Sequence, residues 1–209
     1  MKRLVIYIHG KGGSAAEAGH YRTLFPDCEV IGADYRSQTP REAREELPRL
    51  FDRLAGGYDS VVLIANSIGA YFALQALSEK NIDRAYLISP VVDMERLILR
   101  MLRQAGKTEA ELREQGELCT GFGERLSWEY LSDVREHPIG WSIPTVILYG
   151  SRDSIVPLED ISAFAERSGA ELAVMENGEH WFHTPEQMRF LDERILEREK
   201  LCNAPDTDV

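Results

Sequence analysis

Six short apolar runs punctuate the chain, and the segments between them mostly place apolar residues at helical spacing. The runs lie near residues 4–8, 28–33, 61–65, 84–89, 144–149 and 171–175. Bounded runs of this length predict buried strands, and strands that alternate with helices predict a parallel sheet covered on both faces. We therefore expect an α/β fold: a three-layer α/β/α sandwich with a mainly parallel sheet of about six strands.

One interval between predicted strands, residues 91–142, is far longer than a simple crossover needs. Apolar residues recur at helical spacing near its start, at Met94, Leu97, Ile98, Met101 and Leu102. We interpret the interval as a small helical cap insertion at about 91–142 within a single domain spanning 1–209. The apolar stripe has two readings, packing on the core or roofing a site. The polar tail from residue 202 is expected to fray.

Composition narrows the class of protein without naming a substrate. The 209 residues are 44% hydrophobic, which is enough for one substantial core. A net charge of −11 argues against nucleic acid or an anionic membrane surface as partner. Cys28, Cys119 and Cys202 are odd in number and lack metal-ligand spacing, which favours a reducing, cytoplasmic location. Oligomeric state is left open.

A serine at a strand-to-helix junction is the strongest chemical signal. Ser67 lies in Ala65-Asn66-Ser67-Ile68-Gly69, directly after one apolar run and before a helical pattern. Such a turn presents the hydroxyl at the carboxyl end of a sheet and leaves the Ile68 N–H free to stabilise an oxyanion. Small residues two positions before and after let the strand and helix approach, and here they are Ala65 and Gly69. The alternative to a nucleophile is a structural role, in which the serine is the N-cap of the helix that follows.

Two further side chains follow later strands in an order that fits this serine. Asp153 comes after the run ending near residue 149, and His180 comes after the run ending near residue 175. A serine nucleophile needs an imidazole to take its proton and a carboxylate to orient that imidazole. His183 competes for the base role, but it adjoins the helix start at Thr184, so we favour His180.

With Ser67, Asp153 and His180 in this order, the chain resembles the α/β-hydrolase family along nearly its whole length. The loop His9–Ser14 after the first strand resembles the family's oxyanion loop. The resemblance implies that the Lys11 N–H is the second oxyanion donor beside Ile68, with Gly12 as the fallback.

The resemblance also implies an activity: hydrolysis of a small or medium acyl ester by a serine hydrolase, a probable carboxylesterase in type, through an acyl-enzyme intermediate. No cofactor and no metal are expected. Because the family's insertion commonly sits over the site, Phe122, Trp128 and Trp141 are candidates for the substrate pocket.

Other functions remain open at this point. A peptidase or thioesterase could use the same three residues, and a non-catalytic small-molecule-binding protein could use the same fold. Gly10 to Ala15 also fits the dinucleotide pattern G-x-G-x-x-A after a strand, with Asp34 further on. Residues 16–23 are, however, a poor phosphate-binding helix, because they contain a glycine and lack an apolar stripe.

Overall fold

The computed structural model describes residues 1–203. Of the tail predicted to fray from residue 202, the first two residues are helical, and the rest lies outside the described residues. The strands are β1 (Arg3–Ile8), β2 (Glu29–Gly32), β3 (Ser60–Asn66), β4 (Arg84–Ile88), β5 (Glu117–Cys119), β6 (Arg125–Ser127), β7 (Thr145–Gly150) and β8 (Glu171–Met175). The α-helices are α1 (Pro40–Ala55), α2 (Ser67–Ala76), α3 (Met94–Gln104), α4 (Glu109–Gln115), α5 (Trp128–Glu136), α6 (Leu158–Ser168) and α7 (Pro185–Asn203). A 3₁₀ helix covers Ala15–Thr23.

Six strands form one parallel sheet in the order β2-β1-β3-β4-β7-β8, which confirms the predicted fold class. Strand β2 lies on one side of β1, and β3 lies on the other. The order therefore reverses at β1, and ligand sites of open α/β sheets lie outside the carboxyl ends of the strands at such a point.

The alternation of side chains along β1 explains the three layers. Leu4, Ile6 and Ile8 belong to one apolar cluster, whereas Val5 and Tyr7 belong to the other. Successive strand residues point to opposite faces, so each cluster marks one face of the sheet. Buried residues of α1, α2, α3 and α6 join the first cluster, while the 3₁₀ helix and α7 supply the second.

The interval between β4 and β7 contains α3, α4, an antiparallel hairpin of β5 and β6, and α5. The predicted apolar stripe largely packs on the core, since Met94, Leu97, Ile98 and Leu102 are buried. A polar contact also holds this segment: the Asp133 Oδ1 of α5 accepts a hydrogen bond from the Arg44 guanidinium of α1. In the described part of the chain, no helix has both the length and the apolar character that crossing a bilayer requires.

Candidate active site

The turn between β3 and α2 holds Ser67 in a strained backbone conformation. Its φ is 51°, a region that non-glycine residues other than Asn and Asp rarely adopt. Gly69 permits the turn, because a Cβ at this position would lie 2.1 Å from the His9 carbonyl oxygen. Gly10 also lies close to this turn, since a Cβ there would make a tight contact of 3.2 Å with the Ser67 Cβ. The loops after β1 and β3 therefore pack directly against each other.

The structure brings Ser67, His180 and Asp153 into one hydrogen-bonded chain. The Ser67 Oγ lies 2.8 Å from the His180 Nε2, and the His180 Nδ1 lies 2.7 Å from the Asp153 Oδ2. The Asp153 side chain is fully buried, and that of His180 is 14% exposed. A buried carboxylate on Nδ1 favours the tautomer that carries its proton there, which leaves Nε2 as the acceptor for the serine hydroxyl.

Backbone contacts fix the carboxylate from its other side. The Asp153 Oδ1 accepts hydrogen bonds from the Ile155 N–H at 2.8 Å and the Val156 N–H at 2.9 Å. The loop carrying Asp153 is also joined to the loop that precedes His180, through a bond from the Arg152 N–H to the Gly178 carbonyl at 2.8 Å. These bonds hold the Asp153 carboxylate and the His180 imidazole in fixed relative positions.

His183 occupies a different environment from His180. Its Nδ1 contacts the Trp181 carbonyl oxygen at 2.6 Å, and its ring stacks on the Trp181 ring with centroids 4.9 Å apart. The Gln187 side chain accepts the His183 backbone N–H. Of the two histidines weighed from the sequence, His180 is the one in contact with Ser67.

The two predicted oxyanion donors lie on neighbouring loops at the same sheet edge. The register of β1 and β3 pairs Ile8 with Ala65, so the loops that follow leave the sheet side by side. Gly13 donates to the Gly10 carbonyl at 3.1 Å, which closes a turn with Lys11 and Gly12 at its corners. The Gly12 φ of 76° suits the second corner of a type II turn. The turn bond does not use the Lys11 N–H, and the Ile68 N–H belongs to the unpaired first turn of α2. Their catalytic roles stay a prediction.

Side chains behind the predicted oxyanion loop, His9–Ser14, hold it in place. The Tyr35 hydroxyl donates to the His9 carbonyl at 2.7 Å. The Glu17 carboxylate accepts from the Ser14 N–H at 3.1 Å and from the Tyr7 hydroxyl at 2.6 Å. Burial, together with the Glu17 carboxylate, raises the pKa of Tyr7 well above its usual range, so the phenol remains a donor. Sequence reasoning missed Glu17, although Ser14 and Glu17 have the spacing of a capping box.

Comparisons with known proteins address the fold. No protein-family model and no curated protein matches the chain. Among solved structures, Est1E from Butyrivibrio proteoclasticus superposes with a TM-score of 0.77 at 17% identity, covering 97% of this chain and 89% of its own. Alpha/beta hydrolase domain-containing protein 10 from mouse superposes with a TM-score of 0.76 at 18% identity, covering 96% of this chain and 90% of its own. The chain has the α/β-hydrolase fold. An esterase from Pyrococcus furiosus is a more distant match, with a TM-score of 0.57 at 20% identity, covering 94% of this chain and 82% of its own.

The three pocket candidates occupy different parts of this α/β-hydrolase fold. Phe122 lies in the turn of the β5–β6 hairpin and is 43% exposed. Trp128 begins α5, is half-buried, and has the Arg113 guanidinium 5.6 Å from its ring centroid. Trp141 is buried, and its indole N–H donates to the Thr145 hydroxyl at 2.8 Å. Because Thr145 begins β7, Trp141 lies at the amino ends of the strands, whereas Ser67, Asp153 and His180 follow the carboxyl ends of theirs. The structure therefore does not bring Trp141 to these three residues.

The dinucleotide alternative finds no support in the local structure. Its motif needs an α-helix whose N-terminus faces a phosphate. The segment after the glycines instead forms the 3₁₀ helix, which packs against the sheet through Ala18 and Tyr21. Within residues 1–203, no three His, Cys, Asp or Glu side chains cluster in a way that could hold a metal ion.

Proposed function

We propose that the protein is a serine hydrolase that cleaves small or medium acyl esters through an acyl-enzyme intermediate. The observation that carries the proposal is the hydrogen-bonded chain from Ser67 through His180 to the buried Asp153, on a serine held at a φ of 51°. A structural serine N-cap would need neither the strained backbone nor an oriented imidazole.

In this mechanism the Ser67 Oγ attacks the ester carbonyl carbon while the His180 Nε2 takes the hydroxyl proton. The Ile68 and Lys11 N–H groups donate to the oxygen that becomes negative. Collapse of the tetrahedral intermediate breaks the bond to the alcohol, and His180 returns the proton to the leaving oxygen. Water then attacks the acyl-enzyme by the same route in reverse, which releases the acid and restores Ser67.

Two exposed aromatic side chains support an apolar acyl or alcohol group in the substrate. Phe122 on the insertion and Trp181 beside His180 are 43% and 71% exposed, which leaves aromatic surface available. Est1E, which shares the fold, has been solved with ferulic acid bound. Thioesters and peptides are alternative substrates for the same three residues, and a non-catalytic role in binding a small molecule is an alternative of a different class.

A substrate panel tests the proposal. We expect wild type to hydrolyse nitrophenyl esters of short and medium acids, or a feruloyl ester, faster than matched thioesters and peptides. Ser67→Ala should abolish turnover while preserving the melting temperature, and His183→Ala should retain activity. Hydrolysis confined to thioesters or peptides would change the substrate class, and a folded wild-type protein without turnover would favour the binding role.

A further inference from the structure

An ion pair joins the candidate oxyanion loop to the insertion. The Lys11 Nζ lies 2.6 Å and 2.8 Å from the two carboxylate oxygens of Glu124. Lys11 is a corner of the turn that starts at Gly10, and Gly10 abuts Ser67. Glu124 comes 113 positions later, in the turn between β5 and β6. The contact therefore links the hairpin to the backbone segment beside the nucleophile.

The hairpin presents Glu124 from a well-braced turn. Thr120 donates its N–H to the Glu124 carbonyl at 2.7 Å, and the Thr120 hydroxyl accepts the Glu124 N–H at 2.9 Å. Gly123, whose φ is 89°, donates to the Thr120 carbonyl and closes the turn. Below the turn, the cross-strand pair Leu118 and Leu126 is buried in the core. The carboxylate is thus held by an anchored element, whereas the Lys11 side chain is 74% exposed.

We propose that Glu124 is a positioning residue for the hydrolytic reaction: through Lys11 it latches the β5–β6 hairpin onto the oxyanion loop. The latch restricts the loop to the orientation in which the Lys11 N–H faces the reacting carbonyl. It also holds the turn between β5 and β6, which carries Phe122, against the oxyanion loop. The inference rests on the proposed function for its effect on rate, and on geometry alone for the link between hairpin and loop.

The sign of one substitution separates this role from a purely electrostatic one. Glu124→Gln removes a negative charge near the place where negative charge develops in the transition state. By Coulomb's law alone this change should speed the reaction. Loss of positioning should slow it, because a loosened donor stabilises the oxyanion less well. Exposed ion pairs have small coupling energies, so we expect a loss of about two- to fivefold in rate.

The experiment measures the second-order rate of labelling by a fluorophosphonate and, separately, backbone amide exchange by mass spectrometry. Glu117→Gln is the matched control, since it removes the same charge from the same hairpin at a pair with Arg125 separated by 3.8 Å. We expect slower labelling and faster exchange in residues 10–13 and 118–126 for Glu124→Gln, and neither for the control. The swap of Lys11→Glu with Glu124→Lys should restore both, whereas Lys11→Glu alone should not. The difference in labelling rate between wild type and Glu124→Gln should shrink in concentrated salt, because salt screens the ion pair.

Labelling of Glu124→Gln at or above the wild-type rate, with unchanged exchange, would overturn the latch. Absence of any adduct on wild type would instead overturn the proposed function. The exchange data would then decide on the latch by themselves, with faster exchange in both segments supporting it and unchanged exchange refuting it.

Discussion

Replacing Ser67 by glycine and by alanine should reveal how much strain the nucleophile turn stores. Both variants lose the same hydroxyl and its contact with His180. They differ in the backbone: alanine keeps the clash that a Cβ makes at a φ of 51°, whereas glycine avoids it. The difference in stability between the two variants therefore isolates the backbone from the hydrogen bond.

The magnitude follows from two opposing contributions. A left-handed conformation costs a non-glycine residue about 1–2 kcal/mol. Glycine loses about 0.5–1 kcal/mol relative to alanine at an ordinary helical position, because its unfolded chain is more flexible. At position 67 the glycine variant should thus be more stable than the alanine variant, by up to about 1.5 kcal/mol.

Urea unfolding of both variants measures this difference, with Ser162 as the reference position. Ser162 lies on the exposed side of α6 and has a negative φ, so alanine should be the more stable replacement there. The free energy of unfolding of the glycine variant minus that of the alanine variant should be about 1–2 kcal/mol higher at position 67 than at position 162. This is equivalent to roughly 2–8 °C in melting temperature. Equal glycine-minus-alanine differences at both positions would show that the Ser67 backbone is not strained.

Three further perturbations have expected outcomes. Gly69→Ala should destabilise the protein by about 1–3 kcal/mol in urea unfolding, because the new Cβ meets the His9 carbonyl at 2.1 Å; wild-type stability would contradict the close approach. Asp153→Asn should lower kcat by about 10³–10⁴-fold without unfolding, since an amide N–H facing the His180 Nδ1 selects the wrong tautomer; a loss below tenfold would argue against a buried orienting role. Burial raises the pKa of Glu46, but hydrogen bonds from the Ser37 hydroxyl and from the Arg36 and Ser37 N–H groups outweigh it, so the pKa is lowered from 4.5. Because the folded-state pKa lies below the unfolded one, this contribution to stability is complete above pH 4.5 and is lost on acidification below it. Urea unfolding at one pH well above 4.5 and one well below it measures how much stability acidification removes. Glu46→Gln should lose less stability than wild type between the two, and equal losses would refute the assignment.

The sheet and the three proposed catalytic side chains could be predicted because their signals are local. Each strand of the main sheet lies within one residue of its predicted range, since buried parallel strands are continuous apolar runs. The turn at Ser67 is similarly local, because the small residues that it needs lie within two positions. The order of Asp153 and His180 after their strands sufficed to place them at the same sheet edge.

The insertion was harder to predict, for physical reasons. Strands β5 and β6 have three residues each, too few for a period of two to stand out. The contact of Glu124 with Lys11 spans 113 positions and depends on how the hairpin docks, which no local pattern reports. Trp141 was a pocket candidate because an aromatic residue in an insertion suggests a pocket. Its hydrogen bond to Thr145 at the start of β7 instead places it at the amino ends of the strands, away from Ser67.

The most direct test of the central claim is the intact mass after treatment with a fluorophosphonate, followed by mapping of the modified residue. The reagent phosphonylates an activated serine: the serine oxygen attacks phosphorus, fluoride leaves, and the histidine takes the hydroxyl proton. We predict a single adduct on Ser67 of wild type, and none on Ser67→Ala or, in the same time, on His180→Ala. A folded wild-type protein that stays unmodified, or an adduct on another residue, would contradict a nucleophilic Ser67.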